Sequence, residues 1–135
     1  MCDPDQVIEN PRTGERVEVI DESSDALVML TTWTRSGQRA HEHVHPGMQE
    51  RFEVLEGVAA FRVDGVEVTG GPGTVVVVPP GKPHLAWNPT DTSVRLRVEM
   101  RPGLRWVEFT ERLFAGEDPV ELLQQFADEV RLPTA

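Results

Sequence analysis

Hydrophobic residues along this chain recur mostly with a period of two. Val17 and Val19 alternate with Glu18, and Val94, Leu96, Val98 and Met100 alternate with Arg95, Arg97 and Glu99. Alternate side chains of an extended strand share a face, so each run predicts a strand with one buried and one wet side. A run beginning at Glu50 places Glu50, Phe52 and Val54 on one face and Arg51 and Glu53 on the other. Ala26 to Thr34, rich in Val, Leu, Met, Thr and Trp, predicts a longer strand. Val7-Ile8 and Arg16 to Ile20 read as short strands around turns at Asn10-Pro11 and Thr13-Gly14. Val58 to Val63 and Val66 to Thr69 flank Asp64-Gly65. That pair predicts a hairpin, because a type I′ turn needs positive φ at both central residues. The consecutive valines Val75 to Val78 predict a strand buried on both faces. Glycine and proline at 70–73, 79–81 and 102–103 separate these runs.

After Gly103 the period changes. Trp106, Phe109 and Leu113 recur at helical spacing beside Val107 and Phe114, and Gly116 is a stop. Asp118, Pro119 and Glu121 supply a cap, a proline at the first helical position and a carboxylate three after the cap. Val120, Leu123, Ala127 and Val130 form the apolar stripe expected of that second helix. The pattern predicts an all-β body over residues 1–103 and two short C-terminal helices over residues 104–135, packed on it in the same domain. A chain of 135 residues is long enough for one sizeable core.

The candidate chemistry lies between Gly37 and Gly57. His41, His43 and His45 share one strand parity, and Glu50 follows a turn at Pro46-Gly47. A carboxylate on the same face as Phe52 and Val54 is half-buried, and a buried carboxylate without a partner is expensive. The neighbouring imidazoles point to a metal cation. A later stretch, Gly73 to Pro89, carries His84 at the start of a strand, with Ala86 and Asn88 on its face. Brought together, His43, His45, Glu50 and His84 offer three nitrogens and one oxygen. Such a set suits one divalent first-row metal, with bonds of about 2.0–2.2 Å in the case of zinc. The residues do not select among Fe, Mn, Ni, Zn, Co and Cu.

These two stretches resemble the paired motifs of the cupin superfamily. The first motif is Gly, five residues, His-x-His, three or four residues, Glu, six residues, Gly. It is filled by Gly37, His43, His45, Glu50 and Gly57. The second is Gly, five residues, Pro-x-Gly, two residues, His, three residues, Asn. It is filled by Gly73, Pro79, Gly81, His84 and Asn88. The interval Val58 to Pro72 has the short length of small single-domain bacterial members. The resemblance is tight over Gly37 to Asn88 and extends over Val17 to Met100 by strand pattern. It implies an antiparallel double-sheet β-barrel of the jelly-roll type, with the metal held inside by His43, His45, Glu50 and His84. It also implies a homodimer, for which Val7 to Ile20 are the candidate pairing strands.

Two functions follow from the resemblance. One is an enzyme acting on a small organic molecule at an open metal position, with dioxygenase, isomerase, lyase or cyclase chemistry. Glu50 is then the anionic ligand and a candidate base. The other is a non-catalytic cupin that binds a small molecule or carries a structural metal. His41, Trp33, Phe52 and Trp87 are candidate substrate contacts, weighed against ordinary roles as a rim residue and as core wall. Gly37, Gly57, Gly73, Pro79 and Gly81 read as turn formers, and Asn88 as a loop tie. The sequence contains no tyrosine. That disfavours the metal-free epimerase branch of the cupins, which resembles this barrel but uses a tyrosine acid. Glu50 likewise disfavours the thiol dioxygenases, which coordinate through three histidines alone.

Charge and composition narrow the partners. A formal net charge of -10 disfavours nucleic acid, which wants a basic face. It also gives no attraction to anionic lipid. No apolar run reaches the roughly 20 residues of a membrane span, and no signal peptide is predicted. Cys2 is the only cysteine, so no intrachain disulfide is expected, consistent with a cytoplasmic location.

Overall fold

The computed structural model describes residues 6–38 and 41–133. The polar start Met1 to Asp5, with Cys2, and Arg39 lie outside them. Two antiparallel sheets carry the fold. The six-stranded sheet comprises β1 (Val7–Asn10), β2 (Glu15–Glu22), β3 (Leu27–Trp33), β5 (Gln49–Glu56), β8 (Val75–Val78) and β10 (Val94–Arg101), in the order β1-β2-β3-β10-β5-β8. The four-stranded sheet comprises β4 (Gly37–Gln38), β6 (Ala59–Val63), β7 (Val66–Gly70) and β9 (His84–Asn88), in the order β4-β9-β6-β7. Strands that neighbour in space but not in sequence, such as β3, β10 and β5, give the jelly-roll arrangement. One apolar cluster draws on both sheets and includes Val17, Met29, Phe52, Phe61, Leu96 and Val98. The rings of Phe52 and Phe61 lie 5.2 Å apart across it.

Strand parity sets what faces that core. In β5, Glu50, Phe52 and Val54 are buried and the residues between them are half-buried. In β10, Val94, Leu96, Val98 and Met100 are buried. The face predicted to be wet is drier than expected, because β10 is central, paired with β3 on one side and β5 on the other. Glu99 is buried there, gripped by the guanidinium groups of Arg97 and Arg101. These two arginines hold its carboxyl below the usual carboxylate range.

The valine run corrects the sequence expectation. The core covers only one face of β8, so by strand parity only Val76 and Val78 reach it. Val75 and Val77 are 44% and 46% exposed. Four β-branched residues reflect strand propensity here and not burial on both sides.

Two helices follow, α1 (Trp106–Phe114) and α2 (Pro119–Gln125). Val107 and Phe114 of α1 join the main core. Phe109 packs with Leu122, Phe126 and Val130 in a second cluster. Asp118 caps α2 by accepting from the N–H of Val120 at 2.9 Å. The stripe of α2 differs from the predicted one, for Val120 is 63% exposed while Leu122 and Phe126 are buried. The helix stops at Gln125, so the period that would place Val120 and Ala127 on one face is not sustained. The Arg12 guanidinium donates to the carbonyls of Leu113 and Phe114, closing the C-terminal end of α1 onto the β1–β2 turn. No helix among the described residues is long and apolar enough to cross a membrane.

Gly57 ends β5 with φ +78°, and a Cβ there would lie 2.4 Å from the carbonyl oxygen of Ser93. Gly57→Ala is expected to destabilise the fold by about 2–3 kcal/mol, from left-handed strain plus a backbone clash. Gly47→Ala, with open space around it, is expected to stay within about 0.5 kcal/mol of the parent. Urea unfolding of the two variants checks both.

Candidate metal centre

Two stretches far apart in sequence are joined at the site. The N–H of His43 donates to the carbonyl of His84 at 3.0 Å, and the N–H of His84 returns to the carbonyl of His43 at 2.9 Å. The N–H of Gly81 donates to the carbonyl of His45 at 2.9 Å. Gly81 makes that approach with φ +80°, which glycine adopts without strain. His43 to His45 form isolated bridges and not the continuous strand expected, yet their alternation survives. Glu50 enters from β5, where it pairs with Met100 on one side and Val78 on the other.

His43, His45, Glu50 and His84 each place one ligand atom within 4.8 Å of all the others. The Nε2 atoms of His45 and His84 both lie 3.0 Å from Oε1 of Glu50. The opposite ring nitrogens are all occupied by backbone carbonyls. Nδ1 of His43 meets the carbonyl of His41 at 2.8 Å, Nδ1 of His84 meets Lys82 at 3.0 Å, and Nδ1 of His45 meets Glu129 at 2.7 Å. A carbonyl only accepts, so each contact assigns a proton to Nδ1 and leaves Nε2 for the centre. A carbonyl on the distal ring nitrogen is the usual way a metal-ligating histidine is oriented. The donor set fits a divalent transition metal.

His45 and His84 are each 2% exposed and Glu50 is 6% exposed. Burial alone would push the Glu50 carboxyl up. Hydrogen bonds from His45 and His84, with their charges, outweigh it and hold the group well below the ordinary range. Burial would likewise push His45 down, but the hydrogen bond and charge of Glu50, helped by the Glu129 carbonyl, raise it above its ordinary value. His43 is lowered to about 4, by burial first and then by repulsion from His84 and His45.

Two of the four groups reach a cavity of about 370 Å³. His43 and Glu50 line it, and so do His41, Trp33 and Phe52. Trp33 donates from its indole nitrogen to Glu15 at 3.2 Å. Trp87 does not line it. It alternates with Ala86 and Asn88 along β9, and parity turns it to the other face. Asn88 is fully buried and ties the loop before β10, donating to the carbonyl of Thr92 at 2.8 Å and accepting from the N–H of Thr90 at 2.8 Å. Gly37 pairs with it across β4 and β9. Much of the remaining wall is α1, through Trp106, Phe109, Thr110, Leu113 and Phe114. From the sequence that stripe reads first as packing, with a lid over the barrel mouth or a dimer contact as the alternatives. Its aromatic content is the one signal that it faces a cavity as well as a core.

A search of curated protein sequences returns no match. Among solved structures, an RmlC-like cupin from Shewanella frigidimarina NCIMB 400 superposes with a TM-score of 0.66 at 20% identity, covering 76% of this chain and 87% of that one. A cupin-superfamily sugar phosphate isomerase from Silicibacter pomeroyi DSS-3 gives a TM-score of 0.57 at 21% identity, covering 65% of this chain and 59% of that one. This chain therefore matches less than two thirds of the isomerase's length. The nucleoside dehydratase Pac13 of Streptomyces gives a TM-score of 0.59 at 16% identity, covering 72% of this chain and 75% of that one. At these identities the likeness shows the fold. The sequence model of the cupin domain matches residues 30–100, more than half of the chain and spanning all four converging side chains. The chain belongs to the cupin family.

Proposed function

We propose that this cupin is a mononuclear metal-dependent enzyme acting on a small, largely apolar organic molecule. The observation that carries the reading is the shared orientation of the three imidazoles. Each has its Nδ1 held by a carbonyl, so three Nε2 atoms and one carboxylate face a single point. That point adjoins a mostly apolar cavity, which His43 and Glu50 line.

His43, His45, Glu50 and His84 would hold the metal. A bound divalent ion supplies a Lewis-acidic position that polarises a substrate oxygen or lowers the pKa of water. The protein's own groups prepare that position. Glu50, kept ionised, contributes the negative charge. A carboxylate this acidic is a weak proton acceptor, so its role as a base requires release from its histidine partners. His43, lowered to about 4, stays neutral near pH 7 with a free lone pair. The walls formed by Val17, Met29, Phe52, Val98 and α1 exclude water and favour an apolar substrate body.

Among the described residues, neither lysine nor arginine lines the cavity. A phosphate ester needs such partners, which sets the expected substrate apart from a sugar phosphate. Dioxygenase, isomerase and lyase chemistry all suit an apolar substrate, and the metal separates them. A homodimer is proposed through β1, which ends the six-stranded sheet and offers an edge for strand addition by a second copy. Sedimentation equilibrium is expected to return twice the chain mass, and a monomer at micromolar concentration would remove that part.

Untagged protein is expected to carry about one equivalent of metal, falling below about 0.1 in Glu50→Ala and His84→Ala. Elemental analysis measures this. A redox metal that supports oxygen consumption on apolar carbonyl or enol compounds favours the oxygenase. Trace metal unchanged in both variants would remove the enzyme reading and leave a non-catalytic binding protein.

Metal uptake is also expected to depend on pH. His45 has a raised pKa, so its protonation stabilises the metal-free fold fully below pH 6.5, a contribution lost as pH rises through the folded value. A metal must displace that proton from Nε2. Apparent affinity is therefore expected to rise by up to about tenfold between about pH 5.5 and 6.5. Competition against a chelator at the two pH values reads it, and a flat profile would contradict the proton assignment.

A further inference from the structure

The three carbonyls that hold the imidazoles are not equivalent. His43 and His84 each use the carbonyl two residues before them, those of His41 and Lys82. His45 departs from this pattern: the carbonyl two residues before it, that of His43, accepts from the N–H of His84 at 2.9 Å. Its Nδ1 is held instead by Glu129, 84 positions further along the chain.

Glu129 is fixed from several directions. Its N–H donates to the carbonyl of Phe126, a ring buried in the second cluster. Its own carboxylate, in a residue only 4% exposed, accepts from the N–H of Arg105 at the start of α1 at 3.2 Å. Two residues on, Arg131 pairs with Val44 through both backbone groups, at 2.8 and 2.9 Å. Val44 sits between the two histidines of the first motif. Trp106 of α1 stands edge-on to the His45 ring at 5.0 Å. The segment after α2 thus runs as a strap against the back of the site.

Resting on the metal-centre reading above, we infer that Glu129 is a positioning residue for His45, and that the strap from Phe126 to Arg131 completes the metal centre. The backbone carbonyl of Glu129 sets the His45 tautomer and ring plane. The side chain of Glu129 anchors that carbonyl to α1. Metal affinity is thereby coupled to the helices that form the cavity wall.

The test is metal affinity of the full-length chain, measured with zinc and cobalt(II) against a competing chelator. Glu129→Ala removes the anchor on Arg105 and is expected to weaken binding about 10–100-fold. Its cobalt(II) d–d spectrum is expected to shift as the His45 ligand loosens. Glu129→Gln keeps a carbonyl oxygen that can accept from Arg105 and is expected to remain within about threefold of the parent. A purely structural role would lower the melting temperature and leave the dissociation constant and spectrum of the folded protein unchanged, which would overturn the inference. If Glu129→Ala does not fold, Arg131→Pro decides, since it deletes the N–H bonded to Val44 and so loosens the strap that carries the Glu129 carbonyl, while the residue at 129 is unchanged. Unchanged affinity there would equally overturn the inference.

The metal reading and this inference fail separately. If the parent protein takes up no metal, nitrogen-15 NMR of the histidine rings still decides. A slowly exchanging His45 Nδ1–H, lost in Glu129→Ala, supports the positioning role, and the same resonance in both proteins overturns it.

Discussion

A carboxylate in the middle of a sheet and 6% exposed costs several kcal/mol unless donors or cations meet it. Glu50 is met by two imidazole Nε2 atoms, both at 3.0 Å from the same oxygen. That requirement organises the structure around it. His84 must arrive from β9 in the opposite sheet, which fastens the two sheets at this end through the reciprocal backbone pair with His43. His45 must be turned with its Nδ1 away from Glu50, which calls for an acceptor behind it. The Pro79–Gly81 turn must approach closely enough for Gly81 to reach the His45 carbonyl. A polar cluster of this kind is tolerable only if each member is satisfied, and the backbone carbonyls satisfy the outer ring atoms.

The same centre explains why the cavity, though it carries a buried charge, is lined mostly by apolar side chains. Charged and polar groups of the site are used on one another, and most of the remaining lining is core-like, including Phe52, Val98, Met29 and the aromatic face of α1, with Asn10, Glu15, Thr31 and Thr110 among its polar members. Trp106 and Phe109 serve both environments, stacking on each other at 5.0 Å while Trp106 also meets the His45 ring. The helical extension is therefore part of the ligand space and not an appendage to the sheets. The grip of Arg12 on the end of α1 extends this arrangement to the N-terminal strands.

Much of the fold was legible because strand parity is local. A period of two in β5 and β10 follows from which side chains face the core, and neighbouring residues carry that information. The hairpin at Asp64-Gly65 was legible for a similar reason, and both residues do have positive φ, 50° and 82°. The valine strand misled because four β-branched residues read alike whether one face of a strand is covered or both, and what covers a face is not a local property. Glu99 misled in the same way, since the central place of β10 is a consequence of pairing with β3 and β5. Trp87 is a different case. Its parity relative to His84 was readable, and turns it away from the cavity side.

By itself the sequence determined the spacing of His43, His45, Glu50 and His84 and the turns that let them meet. It also held two of the three imidazole anchors, because His41 and Lys82 are only two residues from the rings they orient. The third anchor was decided by tertiary structure alone. A backbone carbonyl looks the same at every residue, so nothing in the letters at position 129 marks it as the partner of position 45. It acquires that role only when α1 and α2 fold back, Arg131 pairs with Val44, and the Glu129 carbonyl comes within 2.7 Å of the ring.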